Sequence, residues 1–425
     1  MFNPLSSIAP LVLTLLIPQA AHASCRAGIY GQVDGGFVVL GNPSADRGAG
    51  QRYIYLDGRR GRTGEPGSSV ECTDDVALVR QDNGSLARWT RVATTETYTN
   101  FSSRGTRLAG QLVEPPDAGP RAHPLVVLVH GSEKAAAIGS IYGYLLAAQG
   151  VSAFVYDKRG TGASEGIYTQ NFELLADDAV AALARARSMA AGRFIRAGFF
   201  GGSQGGWVAP LAAIRAKVDF VAVGFGLIAS PIDEDREEMM LEAEAAGLGP
   251  KERRQIAKLS DATAALVRSH FTLGYDALAR VKREIGDASW AQMIEGEYSG
   301  AMLRMDEADL RRVGRAVYDN VELIWDYDSL ATLRKLDAPL LWILAGEDRE
   351  APIANTRKEL LGLAAAGKPI DVYMYPNTDH GMVEFKTNGD GSRTTTRITE
   401  GYLRLLADWI KGDVEGLYGR AEHLR

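Results

Sequence analysis

The sequence predicts an α/β fold: a doubly wound, mostly parallel sheet with a helical cap insertion, preceded by a small N-terminal β domain. From about residue 96, continuous apolar runs alternate with segments of helical period, as buried parallel strands alternate with helices. The alternation stops between about residues 231 and 325, where the chain is charged, helical in period and rich in Ala, Glu and Met. Residues 25–95 are rich in Gly, Asp, Asn and Arg, which indicates a turn-rich antiparallel module.

These changes of pattern divide the chain into segments. We expect a β module at 24–95, a first core segment at 96–230, a helical cap at 231–325 and a second core segment at 326–425. Strands of the module are predicted at 36–40, 52–56 and 76–79. Turn dipeptides such as Asp57-Gly58 separate these short runs, which favours antiparallel pairing.

The core segments contain a predicted hairpin followed by strands and helices in alternation. The hairpin strands are predicted at 97–101 and 107–113. Later strands are predicted at 124–129, 151–156, 194–200, 220–225, 339–345 and 371–375. Helices are predicted at 141–149, 173–190, 204–216, 354–365 and 396–411. Pro210 lies inside the third helix, where it removes a backbone hydrogen bond, so we expect that helix to be short or kinked.

Composition excludes several classes of protein. The 425 residues are 46% hydrophobic and 24% charged, which is ordinary for a globular protein and excludes long disorder or a coiled coil. The 47 Lys and Arg against 53 Asp and Glu give a formal charge of −6, so no excess of base is present for a nucleic-acid partner. No apolar run reaches the ~20 residues that cross a bilayer, so no transmembrane span is predicted.

Residues 1–23 are predicted to be a signal peptide. Residues 8–17 form an apolar run, and Ala21-His22-Ala23 has the small-x-small pattern of a cleavage site. We therefore expect an exported protein, periplasmic or secreted. One alternative is a buried N-terminal strand or helix. Another is a lipoprotein signal using Cys25, although His22 stands where such signals prefer a branched apolar residue.

The chain has two cysteines, Cys25 and Cys72. In an oxidising compartment, two cysteines that are the only ones in the sequence are most simply joined in a disulfide. It would close a loop of 47 residues (72 − 25) and stabilise the module by roughly 3–4 kcal/mol. The alternative is two unrelated free thiols. No ligand spacing for a structural zinc ion is present, so no metal site is predicted.

The most informative motif is a G-x-S-x-G pattern formed by Gly201, Ser203 and Gly205. It follows a predicted strand and opens a predicted helix, which is the context in which such a serine is a nucleophile. The turn must be sharp enough to lift the serine oxygen above the sheet, and the glycines leave room for it. The alternative is a glycine-rich turn with a structural serine.

A serine nucleophile needs a base, and chain order places that base after a late strand. His380 lies just past the last predicted strand and is the candidate. His423 is the third residue from the end of the sequence and is expected to be frayed.

The orienting acid is expected after the preceding strand, in the segment 345–349. Asp348 is the candidate, with Glu347 as the alternative. Asp379 is adjacent to His380 in sequence, so it is not expected to reach back and orient the ring.

An acyl-transfer site also needs donors for a developing oxyanion. The backbone N–H of Gln204, directly after the serine, is one candidate. The N–H of Ser132 is the other, because Gly131 permits close approach of the loop after strand 124–129. His130 is expected to brace this loop.

Together these segments resemble the α/β-hydrolase superfamily over about residues 96–415. The matching segments are His130-Gly131-Ser132, Asp157 to Ser164, Gly201 to Gly206, Gly346-Glu347-Asp348 and Asp379-His380-Gly381. The resemblance is to bacterial carboxylesterases and serine aminopeptidase-like hydrolases with a helical cap and a β-rich N-terminal extension. It implies that Asp157 and Arg159 are structural. It also implies a two-step acyl-enzyme mechanism that needs no metal or organic cofactor.

The expected function is hydrolysis of small-molecule carboxylic esters of small to medium acyl chain, with the cap roofing the pocket. Apolar cap residues are expected to divide between the cap's core and the acyl site: Met239, Met240, Leu241, Phe271, Trp290 and Met293. The alternative is a serine peptidase of the same fold acting on short peptides, whose amine would be held by acidic cap residues: Glu237, Glu238, Glu242 or Glu244. Lactone or thioester substrates stay open. A non-catalytic binding protein on this scaffold would lack a triad member, and a dehalogenase or epoxide hydrolase would carry aspartate at position 203.

Overall fold

The computed structural model describes residues 25–31, 35–43, 50–73, 75–119 and 122–424. The predicted signal peptide therefore lies outside the described residues. No helix in the described part of the chain is long and apolar enough to span a membrane.

The N-terminal module is a seven-stranded antiparallel sheet with strand order β4-β3-β2-β1-β7-β6-β5. Its strands are β1 Gly28–Gly31, β2 Phe37–Leu40, β3 Arg52–Tyr55, β4 Arg60–Arg62, β5 Val70–Thr73, β6 Val76–Arg80 and β7 Leu86–Arg91. The three strands predicted here are confirmed, and the predicted Cys25–Cys72 disulfide is present. The four strands that the sequence missed are very short or rich in Arg and Gly, so they lack a clear apolar alternation.

The central sheet has nine strands in the order β19-β15-β14-β13-β12-β10-β11-β9-β8. They are β8 Thr95–Ser103, β9 Thr106–Glu114, β10 His123–Val129, β11 Ser152–Tyr156, β12 Phe194–Gly202, β13 Phe220–Gly224, β14 Leu340–Ala345, β15 Ile370–Tyr375 and β19 Glu422–His423. The six strands β10 to β15 are parallel, and antiparallel pairs close both edges. The predicted mostly parallel sheet is confirmed.

Helices cover both faces of the central sheet, as a doubly wound fold requires. They are α1 Ile141–Ala147, α2 Phe172–Met189, α3 Gly205–Ala213, α9 Ser329–Lys335, α10 Ile353–Ala365 and α11 Tyr402–Lys411. One apolar cluster joins the sheet to α2, α3 and α10, and a second joins it to α1 and α11. Because every residue of β14 is buried, its run is continuously apolar.

The segment between β13 and α9 is helical, as predicted. Its helices are α4 Pro231–Ala245, α5 Pro250–Arg268, α6 Tyr275–Ile285, α7 Ser299–Arg304 and α8 Glu307–Tyr318. They enclose an apolar cluster whose members all come from this segment, including Met239, Ile256 and Trp290. This segment is called the cap below.

Two expectations for the C-terminal part are wrong. A small antiparallel sheet follows β15 and consists of β16 Thr378–Asp379, β17 Val383–Thr387 and β18 Arg393–Ile398. The helix predicted at 396–411 therefore begins only at Tyr402, because β-branched threonines favour the strand at 393–398. His423 is not frayed, since β19 pairs with β15 and the His423 ring stacks on Tyr373 at a centroid distance of 4.3 Å.

Candidate active site

Ser203 occupies a sharp turn between β12 and α3. Its φ is +52°, a left-handed conformation that is strained for a residue with a side chain. Close packing makes the neighbouring glycines necessary, since a Cβ at Gly201 would lie 2.2 Å from the Gly205 carbonyl oxygen. The helix that follows is nine residues long and contains Pro210, so it is short, as expected.

The structure brings the predicted nucleophile, base and acid together although they are far apart in sequence. His380 Nε2 lies 3.1 Å from Ser203 Oγ. On the other side of the ring, Nδ1 lies 3.0 and 3.2 Å from the two carboxylate oxygens of Asp348. A carboxylate only accepts hydrogen bonds, so Nδ1 carries the proton and Nε2 is free to accept the serine proton.

Asp348 is fixed by its own loop. Its Oδ1 accepts hydrogen bonds from the backbone N–H groups of Glu350 (3.1 Å) and Ala351 (2.8 Å), and its side chain is fully buried. The alternative acid, Glu347, pairs instead with Arg393. Asp379 accepts from the backbone N–H of His380 and does not contact its ring nitrogens, as the sequence led us to expect.

The surroundings of His380 favour its protonated form. Burial lowers the pKa of His380, but the hydrogen bond and charge of Asp348, together with the charges of Glu350 and Asp379, outweigh burial and raise it. Glu350 lies 3.6 Å from Nε2. The ring also packs edge-on against Phe225 at a centroid distance of 5.1 Å.

The two predicted oxyanion donors lie on either side of the serine. Gln204 directly follows Ser203 at the start of α3. The loop of Ser132 approaches from the end of β10, since a Cβ at Gly131 would lie 3.6 Å from Ser203 Cβ. In the described part of the chain, neither amide N–H donates to a protein acceptor. Both are therefore available to a bound oxygen.

The Ser132 loop is held by a lysine that the sequence analysis did not single out. Lys158 is buried and donates to the carbonyl oxygens of Gly131 (2.6 Å) and Glu133 (3.1 Å), while the hydroxyl of Tyr168 donates to Ser132 O. Burial lowers the pKa of Lys158 to about 8. The signal in the sequence was its place inside the Asp157–Ser164 motif.

The residues kept out of the predicted triad have structural contacts. Asp157 accepts from the backbone N–H groups of Ala137, Ile138 and Ala163, which ties two loops together. Arg159 makes a bidentate pair with buried Asp178 at 2.8 and 2.6 Å. His130 braces its loop by a bond from its ring to the Tyr156 carbonyl.

An acidic cluster faces the predicted triad, formed by Glu234, Glu238 and Glu297 of the cap and Glu350 of the acid loop. Partial burial, together with the charges of Glu297, Glu350 and other nearby carboxylates, raises the pKa of Glu238 to about 9. Burial and the neighbouring carboxylates, Asp348 among them, also raise the pKa of Glu234. Among the described residues, none of the three cap carboxylates pairs with Lys or Arg.

The other acidic candidates of the cap have different surroundings. Glu242 accepts from the backbone N–H groups of Glu295 and Gly296 and so anchors the loop before Glu297. Glu244 is exposed. Burial and, to a smaller extent, the charge of Asp233 together raise the pKa of Glu237 to about 7. Glu234, which the sequence analysis missed, was detectable because it lies four residues before Glu238 on one helix face.

Most apolar cap candidates pack within the cap. Met239, Phe271 and Trp290 are buried in its apolar cluster, and Met240 packs against that cluster. Leu241 and Met293 are exposed. In residues 25–424, the described positions contain no group of three or more His, Cys, Asp or Glu placed to hold a metal ion.

Part of the chain matches a known protein family. Residues 120–259 match the family model described as serine aminopeptidase, S33. That segment holds β10 to β13, the turn of Ser203 and the start of the cap. The chain has the α/β-hydrolase fold. No curated protein matches the sequence.

Solved structures similar to this chain include both esterases and peptidases. An esterase of Pyrococcus furiosus is 13% identical with a TM-score of 0.43, and the match covers 68% of this chain and 84% of that one. An acylaminoacyl peptidase of Pyrococcus horikoshii is 13% identical with a TM-score of 0.46, covering 93% and 57%. Est1E of Butyrivibrio proteoclasticus, solved with ferulic acid, is 15% identical with a TM-score of 0.41, covering 74% and 96%.

Proposed function

We propose that the protein is a serine hydrolase that cleaves carboxylic esters of small to medium acyl chain through an acyl-enzyme on Ser203. The observation that supports this proposal best is the continuous chain of hydrogen-bonding distances from Ser203 Oγ through His380 to Asp348. No metal or organic cofactor enters the mechanism.

In the first step His380 Nε2 takes the hydroxyl proton of Ser203 as the serine oxygen attacks the ester carbonyl carbon. The carbonyl oxygen becomes an oxyanion, which the backbone N–H groups of Gln204 and Ser132 would stabilise. Asp348 stabilises the imidazolium and holds its Nδ1–H. The C–O bond to the alcohol then breaks, and the alcohol leaves with the proton from Nε2.

The second step repeats this chemistry with water. His380 removes a proton from a water molecule, which attacks the acyl carbon and forms a second oxyanion in the same place. Collapse breaks the bond between the acyl carbon and Ser203 Oγ. The serine recovers its proton from Nε2, and the acid is released.

Active-site labelling tests the proposal. The wild type should react with a fluorophosphonate and hydrolyse p-nitrophenyl acyl esters of short chain fastest. Ser203→Ala should abolish labelling and lower kcat by at least about 10⁴-fold, since the attacking oxygen is removed. Unchanged circular dichroism would show that the variant is folded. Labelling of Ser203→Ala at another residue would refute the assignment.

A second candidate function is an amino-terminal peptidase activity on short peptides. The observation that favours it is the acidic cluster of Glu234, Glu238, Glu297 and Glu350 beside the triad. A protonated substrate amine in this cleft would supply the missing positive charge and favour the ionised carboxylates.

Parallel assays separate the two functions. Aminoacyl p-nitroanilides are compared with p-nitrophenyl esters, using Glu238→Gln and, as a matched control, the exposed Glu244→Gln on the same helix. A peptidase should lose about tenfold or more in kcat/KM on the anilide with Glu238→Gln while the control stays unchanged. An esterase for neutral substrates should show ester turnover that neither substitution changes by more than about twofold.

We also propose that the protein is exported. The Cys25–Cys72 disulfide supports this, because such bonds persist in oxidising compartments. Amino-terminal sequencing of the mature protein tests the proposal, with cleavage after Ala23 expected. A cytoplasmic protein that retains residues 1–23 would contradict it.

A further inference from the structure

The loops that carry the acid and the base are joined by an arginine from a third segment. The acid loop follows β14, the base loop follows β15, and Arg393 lies at the start of β18. Its Nη1 donates to the Glu347 carbonyl oxygen at 2.7 Å and to Asp379 Oδ2 at 2.6 Å. Its Nη2 donates to Glu347 Oε2 at 3.1 Å. One guanidinium thus bonds both residues that immediately precede Asp348 and His380.

Asp379 completes this connection. Its Oδ1 accepts from the backbone N–H of His380 at 2.9 Å and from that of Arg349 at 3.2 Å, so the carboxylate itself spans the two loops. Arg393 engages its other oxygen. The negative charge of Asp379 is therefore balanced at the point where the loops meet.

Arg393 is held in place rather than free in solvent. Its side chain is 11% exposed, and its guanidinium carbon lies 3.7 Å from the centroid of the Phe385 ring. Phe385 lies on β17, which pairs both with β18 and with β16, the strand that leads directly into His380. The small sheet thus fixes the guanidinium relative to the base loop.

We propose that Arg393 is a positioning residue for the triad, setting the placement of the Asp348 loop against the His380 loop. This inference rests on the proposed function. The chain between the two loops is 32 residues long, from 348 to 380. Without Arg393 they are joined by the Arg349–Asp379 bond, the backbone bond from Glu347 N–H to the Thr378 carbonyl oxygen at 2.9 Å and the Asp348–His380 contact, so Arg393 adds the only side-chain cation to this junction among the described residues. Lysine carries the charge but lacks the planar fork that bonds three acceptors at once.

The position of Arg393 also affects the electrostatics of His380. The charged groups that face His380 are Asp348 and Glu350 from the acid loop, Asp379 from its own loop and Glu297 from the cap. Arg393 is the cation paired with Asp379. Its loss leaves the Asp379 charge unbalanced, and this charge favours the imidazolium of His380.

The experiment compares Arg393→Gln and Arg393→Lys with Arg397→Gln. Arg397 lies on the same strand and pairs with Glu384 and Glu400, away from both loops, so it is a matched control. We expect Arg393→Gln to lower kcat on a p-nitrophenyl ester by about 10–100-fold with KM changed less than about threefold. The acid limb of its kcat/KM profile should move to higher pH. Arg393→Lys should keep the wild-type acid limb and recover part of kcat, and Arg397→Gln should match the wild type.

A second readout does not depend on turnover. Proton NMR should show a downfield resonance for the His380 Nδ1–H in the wild type, assigned by its loss in His380→Gln, and it should weaken or shift in Arg393→Gln but not in Arg397→Gln. Unchanged kcat and an unchanged resonance in Arg393→Gln would overturn the proposal. Equal losses in Arg393→Gln and Arg397→Gln would also overturn it. If Ser203→Ala kept its activity, the proposed function would fail, while the resonance would still decide whether Arg393 positions the two loops.

Discussion

The β module and the cap are attached to the core in different ways. Apolar residues of the module lie in one cluster with core residues near the base: Ala27, Ile29, Val39 and Ile54 with Met382, Val383, Ile398 and Tyr402. The cap has a separate cluster built from its own residues. The module is therefore packed into the core, whereas the cap is folded around a core of its own.

The contacts of the two regions differ in kind as well. The module touches β18 directly, since Ile398 N–H donates to the Gly58 carbonyl at 2.9 Å and Arg60 Nε donates to Thr396 O. A Cβ at Gly58 would lie 1.9 Å from the Ile398 oxygen, so only glycine fits there. The cap contributes carboxylates near His380. The module is thus joined to the core by packing and hydrogen bonds, whereas the cap places negative charge near His380.

The largest effect is expected from removing the disulfide of the module. The Cys25→Ala/Cys72→Ala double variant loses a cross-link that closes 47 residues, which costs about 4 kcal/mol on the chain-entropy model. Because the module shares its apolar cluster with the core, the free energy of unfolding of the whole chain should fall by this amount. Urea unfolding followed by both circular dichroism and activity measures it.

The same experiment can also show whether the module is packed into the core. If the module is packed into the core, the two probes should show one coincident transition at a lower urea concentration. An early transition in circular dichroism with the activity midpoint unchanged would mean that the module unfolds by itself.

A matched pair of core truncations gives the next largest effect. Ile54→Ala in the module and Ile256→Ala in the cap each leave a cavity at a buried isoleucine and each cost about 3 kcal/mol. Ile54→Ala should lower the activity and circular dichroism midpoints together. Ile256→Ala should instead produce a separate, earlier transition, because the cap has its own cluster. Identical unfolding curves for the two variants would mean that the module and the cap are coupled to the core in the same way.

Much of this arrangement is predictable from local sequence, and the exceptions have physical reasons. The parallel strands and the turn of Ser203 are encoded by apolar runs and by glycines within a few residues, so periodicity and motif find them. The predicted helix at 396–411 took in the last three residues of the Thr-rich strand at 393–398, whose side chains alternate only weakly between buried and exposed.

Residues that act across long sequence separations escaped the sequence analysis. Arg393 has no local pattern that relates it to Glu347, 46 positions earlier. The charge of Glu350 on His380 likewise arises only when two strand ends meet. Glu234 could have been predicted from the sequence, since it lies on the same helix face as Glu238. The candidate acid and base could be predicted because both lie at strand ends, in the chain order expected for this fold.

The smallest effect concerns the charges around the base. His380 must be neutral to accept the serine proton, so kcat/KM falls as pH drops through its pKa. Because nearby carboxylates raise the pKa of His380, this fall should lie above the ordinary histidine value of about 6.5.

Glu350→Gln removes one of those charges and should move the acid limb to lower pH, with the high-pH plateau changed by less than about twofold. Glu297→Gln in the cap should move it in the same direction and by less, and Glu284→Gln, on the far helix α6 and paired with Lys258, should not move it. Added salt should shrink both shifts, since Glu350 is 59% exposed and its field is screened. A salt-independent shift, or a shift to higher pH, would mean that the cap and the acid loop act on His380 through packing and not through charge.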